Sequence, residues 1–385
     1  MDLCKGKDYP RRKENRYLKG EHASVTRKIL VYVGTYTRKE SEGIYVYQMD
    51  LNSAELEIVG KATNIKNPSF LAINPQKHNL YAVNEIRTFK GERTGAVSAF
   101  SIDPKTSGLS YLNSKPSKGT SPCYLSIDKI GRYVFAANYS SGSICVLPVM
   151  DDGSLGDATD FIQHRGSSVN PERQEGPHAH SIVVDPSNRY VYAADLGLDK
   201  IMIYKFDQER GKLTPNDQPW VETKPGAGPR HFTLHPNERF AYVINELDST
   251  IVAFEYNRES GALEEIQVVS TLPEGFKGVN YAADIHISPS GKFLYGSNRG
   301  HDSIVIYEID GDTGELSRIG HESTRGSFPR NFAIDPSGEF MLVANRKTDN
   351  IVGFRIDQKT GLLEPTEHET KVSMPVCIKF LPQRI

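Results

Sequence analysis

A single unit, a tight turn between two strands, recurs in register along almost the whole chain. A residue that closes a short apolar run marks each copy: Pro75, Lys129, Pro186, Pro236, Pro289, Pro336 and Pro382. Nine residues after each of the first six stands an amide or its acid: Asn84, Asn138, Asp195, Asn245, Asn298 and Asn345. The anchors lie 46 to 57 residues apart, the spacing of β-propeller blades rather than of a solenoid. Seven anchors predict an all-β, seven-bladed ring. A chain of 385 residues would otherwise suggest two or three domains. A closed ring removes that need, because each unit buries its faces on its neighbours.

The stretch NPSFLAINPQKHNLYAVNE, residues 67–85, shows how one unit is built. Phe70 to Ile73 reads as a strand buried on both sides. Gln76 to Asn79 is a polar turn, Leu80 to Val83 a second strand, and Asn84 its end. A third strand follows each recurrent Asn, as in SIVIYEI. An Asp/Gly-rich turn then leads to a fourth, more polar strand. The ends of the chain complete one another. Residues 374–382 form a first strand without a second, and residues 29–37 a second strand without a first. The seventh blade is therefore expected to be closed by N- and C-terminal strands, leaving no open edge. Residues 1–27 are basic and polar and carry no apolar core of a secretory signal. They read as a disordered extension, with the propeller spanning 28–385 and the cytoplasm as its location.

Composition excludes several partners. The net charge is −2, so no basic excess exists to hold a nucleic-acid backbone. No apolar run is long enough to span a membrane. Four cysteines in this length are no disulfide framework, and no Cys/His spacing of a zinc site occurs. No metal and no cofactor are expected, and the assembly is expected to be a monomer or weak dimer.

Strand direction alternates within a blade. The residue opening each first strand and the residue closing each second strand therefore meet at one mouth of the central channel, where a ligand site would be assembled. The first of these positions, six residues before each anchor, reads Ser69, Cys123, His180, Arg230, Ala283, Arg330, Val376. The second reads Glu85, Tyr139, Leu196, Glu246, Arg299, Arg346. The repeat itself requires no charge in these slots. His180, Arg230, Glu246, Arg299, Arg330 and Arg346 together have the makeup of an anion-binding reaction centre. Solvated surface ion pairs are the alternative. The recurrent Asn side chains read as backbone-bonding turn residues, and His235, in the usual Asp place of its turn, as structural. An insertion between Gln163 and His178 carries Arg173 and leads into His178. Arg173 and His178 are taken as substrate contacts from a covering loop. His286, on a first strand, is read as another substrate contact, with a structural hydrogen bond as the alternative.

Three segments, NPERQEGPHAHS, GAGPRHFTLHPNERFAYVINE and YAADIHISPSGKFLYGSNRGHDSI, resemble the signatures of the lactonase seven-bladed propeller family over residues 28–385. That family includes cycloisomerase-2 type 6-phosphogluconolactonases and fungal carboxymuconate lactonizing enzymes. The resemblance implies a metal-free catalytic set at His180, Arg230, Glu246 and Arg299, with Glu246 or His180 as base. It implies hydrolysis of 6-phosphoglucono-1,5-lactone, a small anionic substrate of the pentose phosphate route. Closure of a carboxymuconate to its lactone is the same-site alternative. A non-catalytic binding propeller is the alternative of another class, but it has no use for such a set. The chain also has one Trp, against the Trp-Asp pair in each repeat of WD-type scaffolds.

Overall fold

The computed structural model describes residues 28–76 and 78–381; the extension 1–27 lies outside the described residues. Within them the chain forms 28 strands in seven four-stranded antiparallel sheets, with no helix. Six blades run in chain order from the inner strand at the channel to the outer strand at the rim. In the seventh, Pro375–Leu381 is the inner strand and pairs with Lys28–Thr35, followed by Gly43–Asp50 and Leu56–Thr63. The register sets Ile378 opposite Val33 and Lys379 opposite Tyr32. Both ends of the chain thus share one sheet, and closure leaves no interior edge.

Burial explains why each blade carries its particular strands. The second strands, such as Asn79–Asn84 and Phe240–Asn245, are buried at every position because neighbouring blades cover both faces. The inner strand of blade one, Leu71–Ile73, is only part buried. The sandwich expected for the first strand therefore belongs to the second, since the inner strand borders the channel. Outer strands alternate with solvent, as in Leu263–Ser270.

A polar strap crosses between blades at the residue six places after the anchor. Tyr81, Tyr192, Tyr242 and Tyr295 donate their hydroxyls to the carbonyls of Gly153, Gly261, Gly314 and Gly361 on the next blade, at 2.7 to 2.9 Å. The recurrent amides work at the other end. Asn138, Asn298 and Asn345 donate to the carbonyls of Ser117, Thr271 and Thr324, at the ends of outer strands. His235 Nε2 donates to the Gly291 carbonyl at 2.8 Å and its Nδ1 accepts from Asn237 N, a wholly structural placement.

Deleting residues from Met374 onward removes the inner strand of the closing blade and exposes the edge at Lys28–Thr35. We expect the shortened protein to show no cooperative thermal transition by circular dichroism. A transition at the full-length temperature would mean that ring closure contributes nothing.

Candidate active site

The inner strands of blades two, three, four and six each take a bulge at the residue that opens onto the mouth. The register skips Cys123, His180, Arg230 and Arg330. A bulge aims the skipped side chain away from the ladder, and here the side chains converge from separate blades.

Glu246 is the centre of the cluster. Its side chain is 6% exposed, and both oxygens are held by guanidiniums. Arg230 Nη1 lies 2.9 Å and Arg299 Nη2 2.7 Å from Oε2, and Arg173 Nη2 lies 2.6 Å from Oε1. His180 Nε2 stands 3.9 Å from Oε2 and is hydrogen-bonded to Arg230 Nη1. The arginines are themselves fixed. Arg230 Nε donates to the Ala283 carbonyl at 2.8 Å, and Arg299 donates to the carbonyls of Tyr281 and Ala282.

This arrangement sets the protonation states. Burial alone would raise the Glu246 carboxyl, but the guanidiniums of Arg299, Arg230 and Arg173 hold it well below the usual carboxylate range. Burial, with Arg230 and His231, pushes His180 well below its ordinary value, so the imidazole is neutral. Guanidinium nitrogens only donate, so His180 Nε2 is the acceptor and its proton sits on Nδ1. Nδ1 faces Cys123 Sγ at 3.6 Å, and burial pushes that thiol far up, leaving it un-ionised.

The insertion is strapped into place. Gln174 is buried and donates to the Leu196 carbonyl at 2.8 Å. His164 Nδ1 meets Asp195 Oδ2 at 2.6 Å. The loop passes so close to Gly197 that a Cβ there would lie 1.9 Å from the Gly176 carbonyl oxygen. Arg173 also bonds the Tyr139 hydroxyl at 3.2 Å and lies over the Tyr281 ring. His178 stacks on Tyr139, with ring centroids 4.6 Å apart. The loop is a fixed wall of the mouth that places one guanidinium.

Arg330 and Arg346 stand at the same mouth on blade six. Arg330 lies over the Tyr36 ring and Arg346 over Phe328. Glu85 accepts from the Tyr36 hydroxyl at 2.9 Å and from Ser69 Oγ at 2.6 Å. Sequence reasoning did not select Glu85, Tyr139, Tyr36 or Cys123. The first two stood in the same aligned row as Glu246, and that row was the signal. Cys123 stood in the aligned row of His180 and Arg230.

His286 is not brought to this cluster. It lies deeper, with Nε2 3.1 Å from Asp284 Oδ2, and borders a 330 Å³ cavity lined by turn residues such as Pro186 and Pro236 at the opposite end of the channel. Asp284 binds His231 Nδ1 at 2.6 Å and also bonds Asn331. This polar layer closes the channel beneath His180. Burial and Arg230 pull His231 down to about 4 although Asp284 favours its charged form. Among the described residues no group of three His, Cys, Asp or Glu side chains is placed to hold a metal ion.

A family model described as "Lactonase, 7-bladed beta-propeller" matches residues 30–380. A 6-phosphogluconolactonase of Bacillus subtilis is 40% identical over 356 residues, covering 92% of this chain and 99% of that protein. A 6-phosphogluconolactonase of Formosa agariphila is 36% identical over 308 residues, covering 79% and 85%. Among solved structures, the periplasmic gluconolactonase of Pseudomonas aeruginosa superposes with a TM-score of 0.87 at 36% identity, covering 92% of this chain and 99% of that one.

The buried neutral state of His231 has a consequence for stability. In the unfolded chain it takes a proton below its ordinary 6.5, whereas the folded protein resists until about 4. Its contribution is complete above pH 6.5 and is lost as pH falls toward 4, at up to about 1.4 kcal/mol per pH unit. Urea unfolding of the parent and His231→Gln across that window reads this directly. We expect a shallower pH slope in the variant, by up to one proton; equal slopes would contradict a buried neutral imidazole.

Proposed function

The chain belongs to the lactonase seven-bladed β-propeller family, and on that footing we propose that it hydrolyses 6-phosphoglucono-1,5-lactone to 6-phosphogluconate, with Glu246 as the base. The observation that carries this reading is one buried carboxylate, kept ionised by three guanidiniums, at a mouth with cations to spare.

Water attacks the lactone carbonyl carbon and gives a proton to Glu246 Oε1. That oxygen is the one held by Arg173 from the loop, while Oε2 stays tied to Arg230 and Arg299. Negative charge develops on the former carbonyl oxygen, and Arg230 and Arg299 stabilise it. Both are held rigidly by backbone carbonyls, so they need no reorganisation at that moment. The intermediate collapses with cleavage of the bond from the carbonyl carbon to the ring oxygen. Glu246 returns its proton to that oxygen, giving a hydroxyl, and the new acid ionises to the carboxylate.

In the free site Glu246 is a weak base because its proton affinity is so low. The lactone carbonyl, as it gains negative charge, engages Arg230 and Arg299 and withdraws their field from the carboxylate. Its proton affinity then rises toward the working range. His180 holds Arg230 through Nε2 and acts as a positioning residue.

We expect Glu246→Gln to lower kcat by about 10² to 10⁴-fold with a modest change in KM, the usual size of a general-base contribution. Arg299→Lys keeps the charge but loses the fork that spans Glu246 and two carbonyls, and it too should lower kcat. The measurement is steady-state lactone hydrolysis corrected for the spontaneous reaction. If both folded variants hydrolyse at the parent rate, the mouth is not the reaction centre.

A further inference from the structure

Equivalent slots on two blades hold opposite solutions. On blade four the residues beside the Pro229–Asn245 rung are Arg230 and Glu246, and they pair at 2.9 Å. On blade six the residues beside the matching Pro329–Asn345 rung are Arg330 and Arg346. Like charges in such positions destabilise a sheet. Burial and the nearness of Arg330 both lower the proton affinity of Arg346.

Glu85 lies near enough to favour the charged form of both arginines, and Glu246 that of Arg330, but neither carboxylate is bonded to them. Among the described residues neither Arg330 nor Arg346 forms a side-chain hydrogen bond or an ion pair, and Arg346 Nε is buried without a partner. The nearest spare carboxylate, Glu85, is occupied by Tyr36 and Ser69. The mouth as a whole sets five guanidiniums, Arg173, Arg230, Arg299, Arg330 and Arg346, against two carboxylates, Glu246 and Glu85.

The platform beneath the pair is strained. Phe328 has φ +67°, where the same step before proline uses Asn67, Ser121 and Gly228 in blades one, two and four and Met374 in blade seven. A bulky residue in that region is costly. Its ring lies 4.4 Å from Arg346 Cζ, 5.2 Å from Arg299 Cζ and 4.4 Å from Lys347 Nζ. Strain here sets an aromatic face against the cations and leaves the Arg346 guanidinium N–H groups for another acceptor.

We propose that Arg330 and Arg346 form a phosphomonoester subsite, which makes the protein select a phosphorylated sugar lactone over the unphosphorylated one. The proposal rests on the lactonase reading above. A phosphate carries close to two negative charges at neutral pH and offers three acceptor oxygens, matched by two guanidinium forks. Arg230 and Arg299 hold Glu246 and face the lactone carbonyl, so the blade-six pair is the part of the mouth left for the phosphate.

The test compares kcat/KM for 6-phosphoglucono-1,5-lactone and for glucono-1,5-lactone in the parent, Arg330→Gln and Arg346→Gln. Thermal unfolding verifies that both variants are folded. Loss of one charge-assisted contact should lower the ratio of phosphorylated to unphosphorylated turnover by about 10 to 100-fold. Equal loss on both substrates, or an unchanged ratio, would overturn the subsite. Calorimetry with 6-phosphogluconate and gluconate separates this from failure of the lactonase reading. If the parent turns over neither lactone, the function fails. Even then, parent binding of the phosphorylated acid at least tenfold tighter, with loss of that preference in the variants, supports the subsite. Equal affinity for the two acids overturns it.

Discussion

Glu246 keeps its charge in a nearly dry place because three stretches of chain bring a guanidinium to it. Arg230 comes from its own blade, Arg299 from the next, and Arg173 from the loop over the preceding one. An isolated carboxylate at that depth would take up a proton or force the structure open. The converse also holds, since removing the carboxylate would leave cations facing one another. The site is thus one electrostatic unit, and blades three to five must be in register for it to exist.

The propeller supplies that register cheaply. Six blades repeat the same fully buried second strand, and blades one, three, four and five the same hydroxyl strap, so the ends of inner and second strands arrive at the same height around the channel. Chemistry then varies by changing which residue fills an equivalent slot. Blade four fills its pair with Arg and Glu, blade six with Arg and Arg, and blade five with the small Ala283 and Arg299, whose register partner is Tyr281. The bulge at the opening of the inner strand turns Arg230 and Arg330 toward the mouth instead of into a neighbouring blade.

The ring, the shared seventh blade and the mouth slots were legible because all depend on period and strand direction, which sequence records. The same counting should have set His286 apart. It lies three residues before Pro289, whereas the mouth slots lie six before their anchors. At about 3.3 Å per residue it belongs roughly 10 Å deeper, where it meets Asp284. What sequence could not reveal is contact across the channel. His231, Asp284 and Asn331 come from three different blades, and no spacing announces that they share one hydrogen-bonded layer. The same applies to Tyr36 and Glu85, since Tyr36 follows the seventh blade's second strand and Glu85 closes that of blade one.

The central claim is that Glu246 is ionised far below the ordinary range in the free site and gains proton affinity when an anion draws the guanidiniums away. A carbon-13 NMR titration of protein labelled at the glutamate side-chain carboxyl, assigned by difference against Glu246→Gln, measures this directly. Free protein should show no Glu246 protonation until the pH is well below 4.5, the ordinary glutamate value; with 6-phosphogluconate bound, the midpoint should move upward. A free-state midpoint at or above 4.5, or a midpoint unmoved by the ligand, would contradict the account.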